Sequence, residues 1–161
     1  LIAAIEGDCI AGGVEILQGT DIRVAGEGSR FGVSEARWGL FPQGGSTTRL
    51  VRQIPYTAAM EMLLTGSHYS ARKALEWGLV GHVVAAGEAM TTAKELAAVV
   101  AANGTVAVRQ IKEAVLASEC VPDQDARPIE MEIGMQVFST EDAKEGPRAF
   151  KEKRKPVYKG R

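Results

Sequence analysis

The stretch from Leu1 to Glu35 constrains the fold more than any other part of the chain. It opens with a continuous apolar run, Leu1-Ile2-Ala3-Ala4-Ile5, which reads as a buried strand covered on both faces. A glycine-bounded turn over 7–13 leads into a short apolar helix over 13–19. A second strand follows, with Ile22 and Val24 on one face, and Gly26-Glu27-Gly28-Ser29 turns the chain again. Residues 31–33 are short and extended. Strand, turn, helix and strand in this order place the chain in the α/β class. Two of these segments end in a carboxylate: Ala11-Gly12-Gly13-Val14-Glu15 and, twenty residues later, Phe31-Gly32-Val33-Ser34-Glu35.

That arrangement has a chemical use. The first N–H groups of a helix lack an internal partner and carry the positive end of its dipole. Gly12 and Gly13 would let a ligand approach those donors closely, so the Gly12 N–H is a candidate oxyanion donor. Glu15 falls in the first turn beside it, and Glu35, from a neighbouring loop, completes a candidate acid–base pair. A Gly-Gly pair before a helix also serves as a plain turn, and the spacing of the glutamates carries no chemistry by itself.

Downstream, Trp38-Gly39-Leu40-Phe41-Pro42 is an apolar loop that either walls a pocket or belongs to the core. A helix to about residue 52 follows Gln43-Gly44-Gly45, with Ser46 or a neighbour as its cap. Pro55 opens the next helix and Gly66 closes it, with Met60, Leu63 and Leu64 as its core face. Ser70-Ala71-Arg72-Lys73 matches S-x-x-K but lacks the companion motifs, so Ser70 reads as a helix cap. Residues 79–84 read as a strand. After that the pattern is helical: 89–102, 106–118, 123–138, and a last helix from Thr140 to about Lys151. The change of pattern divides the chain near residue 86, into 1–86 and 87–161. The apolar residues Ile129, Met131, Ile133, Met135, Val137 and Phe138 exceed what a small helical layer buries and suggest self-association.

Composition narrows the class. Hydrophobic residues at 45% and charged residues at 24% are those of a globular protein, and no apolar run approaches the ~20 residues of a membrane span. Cys9 and Cys120 form no spaced motif and fit a reducing, cytoplasmic setting, with Cys9 a small core residue. His68 and His82 have no companions at ligand spacing, so no metal site is expected. The net charge of −1 hides a basic tail: residues 148–161 hold seven Lys/Arg against Glu152 alone. Such a tail suits a phosphate-bearing ligand, a nucleic acid or simply solvent.

These residues bring a family into view. Ile5 to Glu15, Phe31 to Glu35, Gly39-Leu40-Phe41-Pro42-Gln43-Gly44-Gly45-Ser46 with Arg49-Leu50, and Leu64-Thr65-Gly66 with Gly78-Leu79-Val80 together resemble the crotonase (enoyl-CoA hydratase/isomerase) superfamily. Glu145-Gly146 and Ala149 to Arg154 resemble its C-terminal end. The resemblance implies a crotonase-like spiral of β-β-α units, over 1–86, followed by a helical oligomerisation region, over 87–161. It implies an enzyme of fatty acid metabolism that adds water to a 2-enoyl-CoA. Gly12 would be an oxyanion donor, and Glu15 and Glu35 the catalytic carboxylates. Phe150 and Lys153 would contact coenzyme A. No separate cofactor is implied, because coenzyme A is part of the substrate. The implied partner is a second copy, as a homotrimer or hexamer, with neither nucleic acid nor membrane expected.

Three departures accompany the resemblance. Ser34 stands where the family commonly has proline, Gln43 replaces a glycine-alanine pair, and Ala11 is the first of the three small residues. The chain also starts within a strand, so the family pattern implies an upstream portion supplying the second oxyanion donor and much of the coenzyme A surface. Isomerases and dehydratases share the fold, and a non-catalytic scaffold using the basic tail is the alternative from another class.

Overall fold

A computed structural model describes residues 1–161, which divide into two compact units, Leu1–Ala97 and Ala98–Arg161. The division falls inside a helix, eleven residues beyond the change of sequence pattern at 86.

In the first unit, β1 (Ile2–Ile5) and β2 (Asp8–Ile10) lead into α1 (Gly12–Leu17). The next turn of chain repeats the layout, with β3 (Ile22–Gly26), β4 (Arg30–Gly32) and a 3-10 helix (Glu35–Trp38). Each strand of the repeat pairs in parallel with its counterpart: Ile2 opposite Ile22 in one sheet, Asp8 opposite Arg30 in the other. After α2 (Ser46–Gln53) and α3 (Tyr56–Thr65), β5 (Tyr69–Ser70) joins β4 antiparallel. After α4 (Ala71–Glu76), β6 (His82–Val84) joins β3 in parallel. The result is two three-stranded sheets, β1-β3-β6 and β2-β4-β5, climbed by one chain as a spiral.

The corners between the sheets are stitched together. Gly7, with φ 78°, turns β1 into β2, and its carbonyl accepts from the Arg30 N–H at 3.1 Å. The buried Ser29 hydroxyl donates to the Ile5 carbonyl at 3.2 Å. Arg30 grips Asp8 with two bonds of 2.7 and 2.8 Å. The main core lies on one side of the strands around Val14, Phe31, Val33, Leu50, Met62 and Leu79. A smaller cluster of Val24, Ala89 and Ala93 covers the other face, where α5 (Ala89–Ala101) begins. Ala3 of β1 packs on the first cluster and Ile2 and Ala4 on the second, so both faces of this strand are covered.

Several sequence expectations need correction. The 7–13 segment is not all turn. It contains β2, which has only three residues and exists through its pairing with β4. The cap of α2, expected at Ser46 or a neighbour, is the neighbour. Gly45 occupies that position at φ 108°, and Ser46 is buried with its hydroxyl accepting from Gln18 Nε2 at 2.9 Å. The core face of α3 is Ala58, Ala59 and Met62, with Leu63 packed against the same core as expected; Leu64 is exposed and Met60 only half-buried. Only residues His82–Val84 of the 79–84 run pair as a strand, although Leu79 and Val80 are buried. Ser70 does cap α4, accepting from the Lys73 N–H at 3.2 Å.

In the second unit, α6 (Thr105–Ser118) and α7 (Asp123–Phe138) pack together, joined by a turn in which Cys120 has φ 67°. Only Ile133 of the six apolar α7 residues is buried; Met131, Met135 and Phe138 are exposed. Helix α8 (Glu141–Lys151) starts on a Thr140 cap, whose hydroxyl accepts from the Ala143 N–H at 3.1 Å. The chain then folds back along α8. The Lys159 and Gly160 N–H groups donate to Asp142 at 2.7 and 2.8 Å, and the Glu141 N–H donates to the Arg161 carbonyl. Arg154 forks onto Glu145, and Lys159 and Arg161 pair with Glu141. The basic tail is therefore not simply solvated. Arg148, Arg154, Lys159 and Arg161 meet acids of α8, which leaves Lys151, Lys153 and Lys155 to carry its surplus charge. No helix in the chain is long and apolar enough to cross a membrane.

Candidate active site

The two carboxylates emerge from the same end of two adjacent strands. Ile10 at the end of β2 sits opposite Gly32 at the end of β4, and the chain leaves these strands towards Glu15 and Glu35 respectively. Ligands of open α/β sheets gather at the carboxyl ends of parallel strands. The junctions are tied together by the Ala11 N–H, which donates to the Gly32 carbonyl at 2.8 Å. Ala11 is held at φ 52°, ψ −119°, a conformation unfavourable for any residue with a Cβ. This sharp reversal starts α1 at Gly12, whose N–H has no acceptor within its own helix.

Glu15 lies in the first turn of α1. Its Oε1 accepts from the Gly44 N–H at 2.7 Å. A Cβ at position 44 would fall on the Glu15 carboxyl group, so the glycine makes this approach possible. The loop before α2 thus fixes one carboxylate, a role that Gln43-Gly44-Gly45 does not disclose from sequence.

Glu35 opens the 3-10 helix. Its Oε2 is buried and has no hydrogen-bond partner within the chain. A buried acceptor left unmatched costs about 1–3 kcal/mol, so Oε2 is free to accept from water or a ligand. Glu35 lines a cavity of about 340 Å³ together with Ile10, Ala11, Ser34, Arg37, Trp38, Leu40 and His68. Trp38, Leu40 and Phe41 are exposed, which removes the core reading of this loop; Trp38 and Leu40 form an apolar wall of the cavity. The structure therefore brings Glu35 and the Ala11 start of α1 to one cavity. Gly12 and Glu15 are not among its lining residues; they sit on the helix that Ala11 opens.

Two further residues of the cavity were missed in the sequence. Ser34 Oγ and His68 Nε2 lie 2.7 Å apart, across thirty-four residues, and no spacing rule connects them. Cys9 is buried, and burial pushes its thiol up to about 11, which disfavours the nucleophilic thiolate. Phe150 and Lys153 belong to the second unit. Phe150 is 87% exposed on α8, and Lys153 follows it in a left-handed conformation at φ 54°.

A sequence profile described as enoyl-CoA hydratase/isomerase matches residues 1–161, the whole chain. The chain belongs to the enoyl-CoA hydratase/isomerase family. It is 58% identical over 161 residues to the enoyl-CoA hydratase EchA19 of Mycobacterium tuberculosis, covering 100% of this chain and 60% of that protein. The carnitinyl-CoA dehydratase of Salmonella typhi is 37% identical over 165 aligned positions, covering 100% and 63%. Among solved structures, an enoyl-CoA hydratase from Mycobacterium tuberculosis superposes with a TM-score of 0.96 at 40% identity, covering 100% of this chain and 64% of that one. The spiral of β-β-α units is thus the crotonase fold. The chain spans about 60% of the length of its EchA19 relative.

Proposed function

We propose that this enoyl-CoA hydratase/isomerase family chain carries the two catalytic carboxylates of a 2-enoyl-CoA hydratase, working reversibly as a hydro-lyase. The observation that carries the reading is the buried, unpartnered Oε2 of Glu35 in a cavity shared with Ala11, the residue that opens the helix of Gly12 and Glu15. In this reading Glu15 takes a proton from water as the water oxygen bonds to the β-carbon. The electron pair of the C=C bond moves onto the thioester carbonyl, and the Gly12 N–H stabilises the resulting enolate oxygen. Glu35, entering as the acid, delivers a proton to the α-carbon as the carbonyl re-forms. The C=C π bond, one O–H bond of water and the O–H bond of the Glu35 acid are broken, and one C–O bond, one C–H bond and an O–H bond on Glu15 are made; the proton on Glu15 returns to Glu35 through solvent before the next turnover. The Gly44 N–H holds the Glu15 carboxylate in place throughout.

Coenzyme A enters as part of the substrate, with Phe150 and Lys153 proposed to meet its adenosine end. The exposed Met131, Met135 and Phe138 of α7 suit self-association, as a trimer or hexamer. The internal pairing of Arg148, Arg154, Lys159 and Arg161 leaves Lys151, Lys153 and Lys155 as the tail's unpaired cations, fewer than the sequence offered to a nucleic-acid scaffold.

The test is an assay of the full-length protein that carries this chain, with crotonyl-CoA and with a 3-enoyl-CoA. Hydration of the first that is lost in Glu15→Gln and in Glu35→Gln supports the reading. Exclusive double-bond migration in the second substrate would make it an isomerase instead.

A further inference from the structure

The 3-10 helix that presents Glu35 is a single turn, Glu35–Trp38, joined to its flanks by the Arg37 N–H to the Ser34 carbonyl, the Gly39 N–H to that of Ala36, and the Leu40 N–H to that of Glu35. Ser34 occupies its N-cap, where a serine hydroxyl ordinarily accepts from the first-turn N–H groups. Here it makes no cap bond and instead meets His68 Nε2 at 2.7 Å. Ser34 is 8% exposed, so its hydroxyl has little solvent to fall back on.

His68 is brought there by the loop that ends α3. Gly66, at φ 63°, turns the chain, and a Cβ on it would fall 2.5 Å from Arg37 Cγ and 3.4 Å from Ser34 Cα. The loop therefore lies directly on the turn that bears Glu35. A Cβ on Gly32 would fall 2.6 Å from His68 Cδ2 and 2.9 Å from the Ser67 carbonyl oxygen, so the imidazole also rests on the end of β4. Thr65 Oγ1 accepts from the Ser67 N–H at 3.1 Å and lies 2.9 Å from Ser67 Oγ, which fixes the loop itself. One loop thus clamps both sides of the β4-to-Glu35 junction, and its only side-chain hydrogen bond to that junction is His68 to Ser34.

We propose that His68, acting through Ser34, is the positioning residue that aims the Glu35 carboxyl group into the cavity. This rests on the hydratase reading above. His68 is not assigned a proton-transfer step. Its contribution is to hold a four-residue turn whose carboxylate has no other anchor, and misplacement of a catalytic group by about 1 Å can cost 10²-fold in rate.

The experiment measures kcat, KM and thermal midpoint for crotonyl-CoA hydration by the full-length protein, its Ser34→Ala, His68→Phe and His68→Gln variants, and the Ser34→Ala/His68→Phe double variant. Glu35→Gln is the reference. The expected result is a fall in kcat of about tenfold or more for Ser34→Ala and His68→Phe, with KM and the thermal midpoint little changed. The double variant should be no worse than either single one, because both remove the same link. His68→Gln places an amide near Nε2 and should recover most of the loss. Wild-type kcat in His68→Phe, or losses that multiply in the double variant, would overturn the positioning role while leaving the hydratase reading intact if Glu35→Gln is inactive. Full activity in Glu35→Gln would overturn both.

Discussion

The Gly44 N–H donates to the Glu15 carboxylate at 2.7 Å, across twenty-nine residues of chain. One catalytic candidate is thereby held by a backbone donor, which has no rotamer freedom to lose. Gly44 is required because any larger residue would place its Cβ on the Glu15 carboxyl group. Gly44→Ala should therefore displace Glu15 without disturbing the core, since Gly44 itself is exposed. The expected outcome is a loss of about 10²-fold in kcat with the thermal midpoint nearly unchanged. Steady-state kinetics and a melting curve check it, and unaltered kcat would refute it.

Ser46 and Gln18 form a buried side-chain pair at 2.9 Å. Ser46→Ala removes the acceptor and strands the Gln18 amide, at a cost of about 1–3 kcal/mol. Replacing both partners with apolar residues, as in Ser46→Ala with Gln18→Met, should recover part of that stability. Urea unfolding of the full-length protein measures both. Equal destabilisation by the single and double changes would count against the pair.

Glu6 reaches across more than eighty residues to accept from the N–H groups of Gly87 and Ala89 at 3.0 and 3.1 Å, and so caps α5 from outside its own segment. Glu6→Ala should destabilise the first unit by about 1 kcal/mol, the usual cost of a lost cap. Hydrogen exchange at the Gly87 and Ala89 amides should accelerate in the variant. Unchanged protection would show that the cap contributes nothing.

Glu145 anchors the returning tail. Its carboxyl group is held at about 2, below the ordinary glutamate value of 4.5, chiefly by the hydrogen bond from Arg154 and then by that from the Val157 N–H. A depressed carboxyl pKa stabilises the folded arrangement above its unfolded value and loses that stabilisation as pH falls through the folded one. The Glu145 contribution to tail docking should therefore be complete above about pH 4.5 and lost progressively towards about pH 2. The Val157 amide resonance reports it directly. In Glu145→Gln the titration should disappear, and its persistence would assign the effect to another group.

The parts of this fold that were readable from the sequence are those marked by backbone chemistry. Gly66 and Ser70 end and begin helices where turn and cap residues should, and α7 runs from Asp123 after Pro122 to Phe138 as its pattern requires. The Gly12 and Glu15 segment stood out for the same reason. Strand β2 did not, because three residues carry no period and its existence depends on β4. The face of α3 was legible only in part: Leu63 packs on the core, but Ala58 and Ala59 are too small to stand out against the exposed Leu64. Gly44 to Glu15 and Ser34 to His68 are contacts between loops distant in the chain, and nothing local encodes them.

Two carboxylates that divide the work of adding water leave their mark on the solvent proton. The full-length protein should convert crotonyl-CoA in D2O to a 3-hydroxyacyl-CoA carrying one deuterium at the α-carbon. Glu15→Gln and Glu35→Gln should each slow that incorporation by about 10²–10⁴-fold, the range general acid–base groups contribute. Deuterium entering at the wild-type rate in either variant, or no α-deuterium in a hydrated product, would contradict the account.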